Sequence, residues 1–340
     1  MSDFTEKKID YKQYVVDSQL RYFKPHATKI EKSFAEEISY TLSQNSKFIN
    51  PKFFYDRKGS DLFESICSLP EYYPTKTEIS ILKKLKHDLS SYLDENMNLV
   101  ELGSGSSVKT RLLLDIFTTL QTKTEYFPID ISEILTESSE QLLKDYDTLH
   151  ITGIIDTYEG GLEFLKNYDD NKNLIIFLGS SFGNFTPDDG KLFLEKIFST
   201  MNSGDLFLIG LDLVKDKNIL EAAYDDSQGI TAKFNLNVLS RINDELDADF
   251  DINNFSHYSI YNETDQRIEM NLKSLVSQSV IIAKSNLSLN FNKDELIHTE
   301  YSHKYHASQI KKLLTDVGFT IKNIWLDDKK YFSLTLVSKN

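Results

Sequence analysis

The first residues of this chain placed to hold a ligand are two glycines in a turn between an apolar run and a helix. Residues Leu99–Arg111 read Leu-Val-Glu-Leu-Gly-Ser-Gly-Ser-Ser-Val-Lys-Thr-Arg, followed by the leucine-rich stretch Leu112–Leu120. Gly103 and Gly105 can take backbone angles closed to other residues and let a ligand come close to the main chain. The run lacks the third glycine of a dinucleotide loop and the Gly-Lys-Ser/Thr of a phosphate-cradling loop. One βα unit later, Glu125–Ile131 reads as a second strand with Asp130 near its carboxyl end. An acidic side chain at that separation accepts hydrogen bonds from a ribose diol. Taken alone, Asp130 is equally readable as a cap for a helix over Ser132–Tyr146. The glycine turn tips the balance toward a ribose-bearing ligand.

The elements that position these residues alternate. Strands are expected at about 98–103, 125–131, 151–155, 173–179 and 204–212, with helices at 107–120, 132–146, 158–168 and 187–202. Near-continuous apolar strands alternating with helices imply a parallel sheet covered on both faces, with ligands at the carboxyl ends of its strands. Gly179, Gly183 and Asn184 fall at that rim. Beyond 213 the alternation stops, and 214–303 holds a helical stretch with Tyr224, an aromatic and acidic loop, and alternating strands at 266–283 and 287–292. It resumes with a helix Ser308–Val317, Gly318-Phe319, and strands 320–326 and 331–338. Residues 214–303 therefore read as an insertion. At the amino end, residues 1–50 suggest amphipathic helix, with Ile30, Phe34, Ile38 and Leu42 on one face. Thr75-x-x-Glu78 reads as a capping box opening a helix Ile79–Tyr92.

Composition narrows the class. The 340 residues carry a formal charge of −14, no basic stripe and no twenty-residue apolar run, so neither nucleic acid nor a membrane is an expected partner. A cytoplasmic protein is expected. The one cysteine, Cys67, sits in the rhythm Leu62-Phe63-Ile66-Cys67 and reads as a packed helix residue; neither a disulfide nor a cysteine-based zinc site is available. His298, His303 and His306 invite a metal, but His298 and His303 have opposite parity along a strand. No metal is expected.

What remains of the glycine run, Glu101-x-Gly-x-Gly, has the form of an S-adenosylmethionine (SAM) site. Several further motifs carry a more specific resemblance: Tyr55-Asp56-x-x-Gly59-Ser60-x-Leu62-Phe63, Leu69-Pro70-Glu71-Tyr72-Tyr73-Pro74-Thr75, and Glu101-Leu-Gly-Ser-Gly-x-Ser-x-Lys109-Thr110. Beyond them come Phe177-Leu-Gly-Ser-x-x-Gly183-Asn184, Asp212-Leu-Val-Lys-Asp216, Ala223-Tyr-Asp-Asp226, Arg267-Ile-Glu-Met270 and Thr299-Glu300-x-Ser302-x-Lys304. From about Phe34 onward the chain resembles the L-histidine Nα-methyltransferases, SAM-dependent enzymes that open ergothioneine biosynthesis by making trimethylhistidine (hercynine). Ser106, Val108 and Phe182 depart from the common pattern, and none is a residue assigned to substrate.

The resemblance implies an α/β fold of the class I SAM-dependent methyltransferases. Its parts are a Rossmann-like, seven-stranded, mostly parallel sheet (76–213 and 304–340) and a second α+β substrate-binding domain (1–75 and 214–303). Cofactor residues are then expected at Tyr55, Gly103, Lys109, Asp130, Asp156 and Thr157. Histidine-binding residues are expected at Tyr72, Asn184, Tyr224, Met270, Glu300 and Ser302, with Phe63 and Gly179 lining the pocket. Tyr72 is the expected catalytic residue, holding the α-amine, and Asn184 and Tyr224 suit the carboxylate as neutral donors. Glu300 and Ser302 alternate on an expected strand and share a face, where a carboxylate and a hydroxyl can grip both nitrogens of a neutral imidazole. L-Histidine is the expected partner and a monomer the expected state. The alternatives are a relative acting on another amine, such as a tryptophan derivative, and a SAM-binding protein without turnover.

Overall fold

The computed structural model describes residues 11–26, 33–105, 107–131 and 134–339. Expectations touching Ile30, Ser106 and Ser132 lie outside these residues. The described chain opens with strands β1 (Tyr11–Val15) and β2 (Leu20–Pro25), then helices α1 (Phe34–Leu42), α2 (Arg57–Ser68), α3 (Tyr73–Lys84) and a short α4 (Lys86–Ser90). Among the described residues of 1–50, only α1 fulfils the helical reading. There Ser33 and Glu36 cap the helix reciprocally, and Ile38 and Leu42 are buried. In β2, Leu20 and Tyr22 face inward while their neighbours do not, a period of two that is too short to stand out in sequence. The capping-box reading also fails. α3 begins at Tyr73 with Pro74 in its first turn, so Thr75 and Glu78 lie inside the helix.

The alternating region follows as β3 (Asn98–Leu102), α5 (Val108–Leu120), β4 (Thr124–Asp130), α6 (Ile134–Leu143), β5 (Leu149–Ile155), α7 (Tyr158–Lys166), β6 (Asn173–Phe177), α8 (Pro187–Thr200) and β7 (Leu206–Asp212). The inserted region contains α9 (Lys217–Tyr224), α10 (Ile230–Leu246) and strands β8 (Phe255–Asn262), β9 (Arg267–Ser274), β10 (Gln278–Ile282), β11 (Leu287–Phe291) and β12 (Leu296–His303). The expected aromatic and acidic loop thus includes a strand, β8, which pairs with β9 along its whole length. The chain closes with α11 (Ala307–Val317), β13 (Thr320–Leu326) and β14 (Phe332–Ser338).

Among the described residues the central sheet has the order β1-β2-β5-β4-β3-β6-β7-β14-β13, nine strands rather than seven. β2 adds in parallel to β5 and carries β1 antiparallel outside it, so residues 11–25 belong to the central sheet and not to the second domain expected for 1–75. β14 returns antiparallel to β7. β3, β6, β7 and β14 are buried along their whole length, as strands covered on both faces must be. One apolar core fills each face of this sheet, and a third joins α1, α2, α9 and α10 to the smaller sheets β12-β9-β8 and β10-β11. Among the described residues no helix is long and apolar enough to cross a membrane.

Two details of the inserted region set the site. The register of β12 on β9 shifts between His298 and Glu300, placing a bulge at Thr299. The bulge brings His298 onto the face of Tyr301, ring against ring at 3.8 Å, so the parity that separated His298 from His303 in sequence does not hold. No group of three or more potential metal ligands forms among the described residues. The departure and return of the insertion are also pinned together: Tyr305 N–H donates to Asp212 O at 3.0 Å and Val214 N–H to Tyr305 O at 3.1 Å.

Candidate active site

The glycine turn joins β3 to α5. Gly103 (φ +75°) and Gly105 (φ +46°) are both left-handed, which a side chain would strain. A Cβ on Gly103 would lie 2.8 Å from the Tyr158 hydroxyl, and one on Gly105 would meet nothing within 4 Å. Asp130 is the last residue of β4, and its carbonyl accepts from the Asp156 N–H at 3.2 Å just beyond β5. Bare main chain next to a carboxylate at the following strand end fits a ribose-bearing cofactor such as SAM.

The remaining expected cofactor residues are tied into the fold. The Asp156 carboxylate accepts from the Thr157 N–H at 2.7 Å and from the Tyr11 hydroxyl. Thr157 caps α7 by accepting from the Gly160 N–H at 3.1 Å. Lys109 donates to Glu78 at 2.9 Å, and the same carboxylate accepts from the Gly179 N–H at 2.9 Å. Glu78 is fully buried and joins α3, α5 and the end of β6. Glu101, in the glycine motif, accepts from the Thr110 and Tyr126 hydroxyls, and burial pushes its pKa up to about 7. Tyr55 follows the 3-10 turn Pro51–Phe54, is 40% exposed, and meets Phe63 edge-on at 5.6 Å.

The expected substrate residues converge from six segments. Phe63 of α2 lies 6.4 Å from the Tyr72 ring, and Tyr72 lies 6.1 Å from the ring of Tyr224 at the end of α9. Among the described residues nothing hydrogen-bonds the Tyr72 hydroxyl. Burial raises its pKa, so it stays protonated as a donor. Asn184 ends the 3-10 turn Ser181–Asn184, which packs on β12 where a Cβ on Gly183 would strike the His303 carbonyl at 2.9 Å. The left-handed residues of that loop are Gly179 and Ser180, not Asn184. Met270 on β9 sits opposite Glu300 on β12, both buried.

Glu300 and Ser302 share the inner face of β12, as the alternation predicts. The Glu300 carboxylate receives no hydrogen bond from any described residue, and burial pushes its pKa up to about 7 against the pull of Lys304. The Ser302 and Tyr224 hydroxyls lie 2.7 Å apart, and the Lys304 ammonium donates to both, at 2.8 and 3.0 Å. Lys304 is completely buried and pairs with Asp212 at 2.9 Å. Asp212 also binds Lys215 at 2.5 Å and the Tyr73 hydroxyl at 2.5 Å. Burial opposes the Asp212 charge, yet Lys304 and Lys215 outweigh it and its pKa is lowered. Lys215 is pulled down to about 8, by burial first and despite Asp212.

The sequence alone assigns no role to Asp212, Lys215 or Lys304, although all three stand inside quoted motifs, and it reads Glu78 only as part of a helix cap. It also passed over His257. That ring donates from Nε2 to the Tyr224 carbonyl at 2.8 Å and meets the Asn235 amide at 2.8 Å through Nδ1, which fixes the end of α9. The Asp226 carboxylate holds the next loop by accepting from the N–H groups of Gln228, Ile230 and Thr231.

A parallel sheet with an antiparallel closing strand, a glycine turn after its central strand and a carboxylate one strand over define a class I SAM-dependent methyltransferase. Residues 34–339 match the family described as histidine-specific, SAM-dependent methyltransferases, and the chain belongs to it. It is 36% identical to a histidine N-alpha-methyltransferase of Mycolicibacterium smegmatis, over 91% of this chain and 96% of that one. Identity is 37% to the protein of the same name from Mycobacterium tuberculosis, over 88% and 92% of the two chains. It is 28% to ergothioneine biosynthesis protein 1 of Schizosaccharomyces pombe, over 84% of this chain and 38% of that longer one.

Proposed function

We propose that this protein methylates the α-amine of L-histidine three times, giving Nα-trimethylhistidine, and so opens ergothioneine biosynthesis. The observation that carries the reading is Glu300: a buried carboxylate without a donor among the described residues, on one face with the Ser302 hydroxyl. A neutral imidazole offers one N–H and one acceptor nitrogen, which match that pair. The family and the relatives' names support the same substrate.

In this reading the central sheet binds cofactor and the inserted region, with α1 and α2, binds histidine. Gly103 and Asp130 hold SAM, with Tyr55, Lys109, Asp156 and Thr157 around it. SAM supplies an electrophilic methyl group on a sulfonium. Glu300 and Ser302 hold the ring, Met270 lies beside it, and Asn184 and Tyr224 orient the carboxylate. The Tyr72 hydroxyl oxygen accepts an N–H of the α-amine and leaves the nitrogen lone pair turned toward the methyl carbon. Alignment and exclusion of water carry the catalysis of such an in-line displacement. The amine attacks unprotonated, and its proton leaves to solvent. As methyl groups accumulate the nitrogen becomes a fixed cation, favoured by the faces of Tyr72 and Phe63. We read the protein as a cytoplasmic, metal-free monomer.

The test is formation of S-adenosylhomocysteine from SAM with and without L-histidine, with L-tryptophan as competitor and mass spectra of the product. Histidine-dependent formation ending at a gain of three methyl groups is expected. No histidine dependence would overturn the reading, and a product that stops at one methyl would overturn the trimethylation.

A further inference from the structure

The hydroxyls assigned to substrate do not act alone, and a count of protons shows what directs them. An ammonium has three N–H donors. Lys304 directs one to Asp212 at 2.9 Å, one to Ser302 at 2.8 Å and one to Tyr224 at 3.0 Å, and so has none left for a ligand. Each hydroxyl therefore already accepts from the cation. The two hydroxyls hold two protons between them, and their mutual contact at 2.7 Å uses one. The other has no partner among these groups and is left for a ligand.

We propose that Lys304, anchored by Asp212, is a positioning residue that turns the Ser302–Tyr224 hydroxyl pair into a hydrogen-bond donor toward the substrate. The inference rests on the histidine reading above and deepens it. With Lys304 filling a lone pair on each oxygen and one proton between them free, the hydroxyl pair demands an acceptor from a ligand, met by the unprotonated ring nitrogen beside Ser302. Glu300 demands a donor. Together they select a ring with an N–H on one side and a bare nitrogen on the other, and reject a ring with N–H alone. Asp212 holds the cation in place from the end of β7, where the Tyr305 N–H fixes its backbone. The position of Lys304 thus depends on the joint between central sheet and insertion.

Two measurements test this. Lys304→Met leaves Asp212 paired with Lys215 and Tyr73, so no carboxylate is orphaned. It should raise KM for histidine roughly 10- to 100-fold. The dissociation constant for SAM should stay within about twofold. Lys304→Arg should recover part of the histidine affinity. The native enzyme should use 3-pyrrolylalanine, which keeps a ring N–H and lacks the acceptor nitrogen, at least about tenfold less well than histidine; this arm stands even if Lys304→Met fails to fold. An unchanged KM in a folded Lys304→Met variant would overturn the proposal. So would equal use of pyrrolylalanine and histidine, or a loss that falls equally on SAM. If the native protein turns over no histidine, the functional reading falls first and the positioning role with it.

Discussion

Replacing Glu300 by glutamine should move stability and activity in opposite directions. Burial lifts its pKa from 4.5 to about 7. The folded chain then holds the proton more tightly than the unfolded one. The group's full contribution is present below pH 4.5 and is lost as pH rises through about 7, leaving a penalty of about 3 kcal/mol in alkaline solution. Glutamine has the same shape and no charge, but its amide is desolvated too, at about 1 kcal/mol. The net gain should be about 2 kcal/mol at pH 8.5 and should turn into a loss of about 1 kcal/mol at pH 4.5. Urea unfolding of the SAM-free protein at both pH values reads it directly. Histidine turnover should suffer, because a charge-assisted hydrogen bond of about 1.5–3 kcal/mol is weakened, or roughly 10- to 150-fold in kcat/KM. Equal stability changes at the two pH values, or kcat/KM within about threefold of native, would show that Glu300 is neither desolvated nor facing the ring.

Three further outcomes follow from the same geometry. Asp130→Ala should weaken SAM binding by about 1.5–3 kcal/mol in calorimetry, whereas a mere helix cap would leave it unchanged. Glu78→Ala leaves the Lys109 ammonium and the Gly179 N–H without their acceptor, and should destabilise the fold by about 3 kcal/mol in denaturant titration, with Glu78→Gln milder. Gly59→Ala would drive a Cβ to within 1.7 Å of the Phe54 carbonyl oxygen, which is rigid backbone, and should lower stability by about 3 kcal/mol and displace Tyr55.

The central sheet was legible because its strands are continuous apolar runs with glycine or acidic punctuation at their carboxyl ends. The inner face of β12 was legible for the same local reason: Glu300 and Ser302 lie on one side of the bulge, where alternation survives. Across the bulge it does not, and the parity of His298 was misjudged. β1 and β2 escaped because β1 buries none of its five residues and β2 only Leu20 and Tyr22 of six, leaving no run long enough to distinguish from helix. Lys304, Asp212 and Lys215 were hidden by chemistry rather than length. In sequence a lysine reads as solvated surface, and only the meeting of β7 with the return of the insertion supplies its carboxylate. Glu78 misled through a motif: its spacing from Thr75 suits a helix start, while tertiary contacts with Lys109 and Gly179 claim it.

The order of the strands has a consequence for synthesis. β2 lies against β5, so residues 20–25 leave the ribosome more than a hundred residues before their partner at 149–155. At about 5–20 residues per second that delay is roughly 6–25 s. Through that interval Leu20, Tyr22 and Phe23 have no sheet to join and are open to chaperones or to the wrong neighbour. The opposite side waits about as long, because β7 is paired by β14 only after the inserted region has been made. The sheet can therefore zip only from its middle, beginning with β3 and β4 around the glycine turn. The cradle for the cofactor takes shape before the pocket for the amino acid, and a nascent chain that meets SAM early gains a partner that steadies its half-built centre.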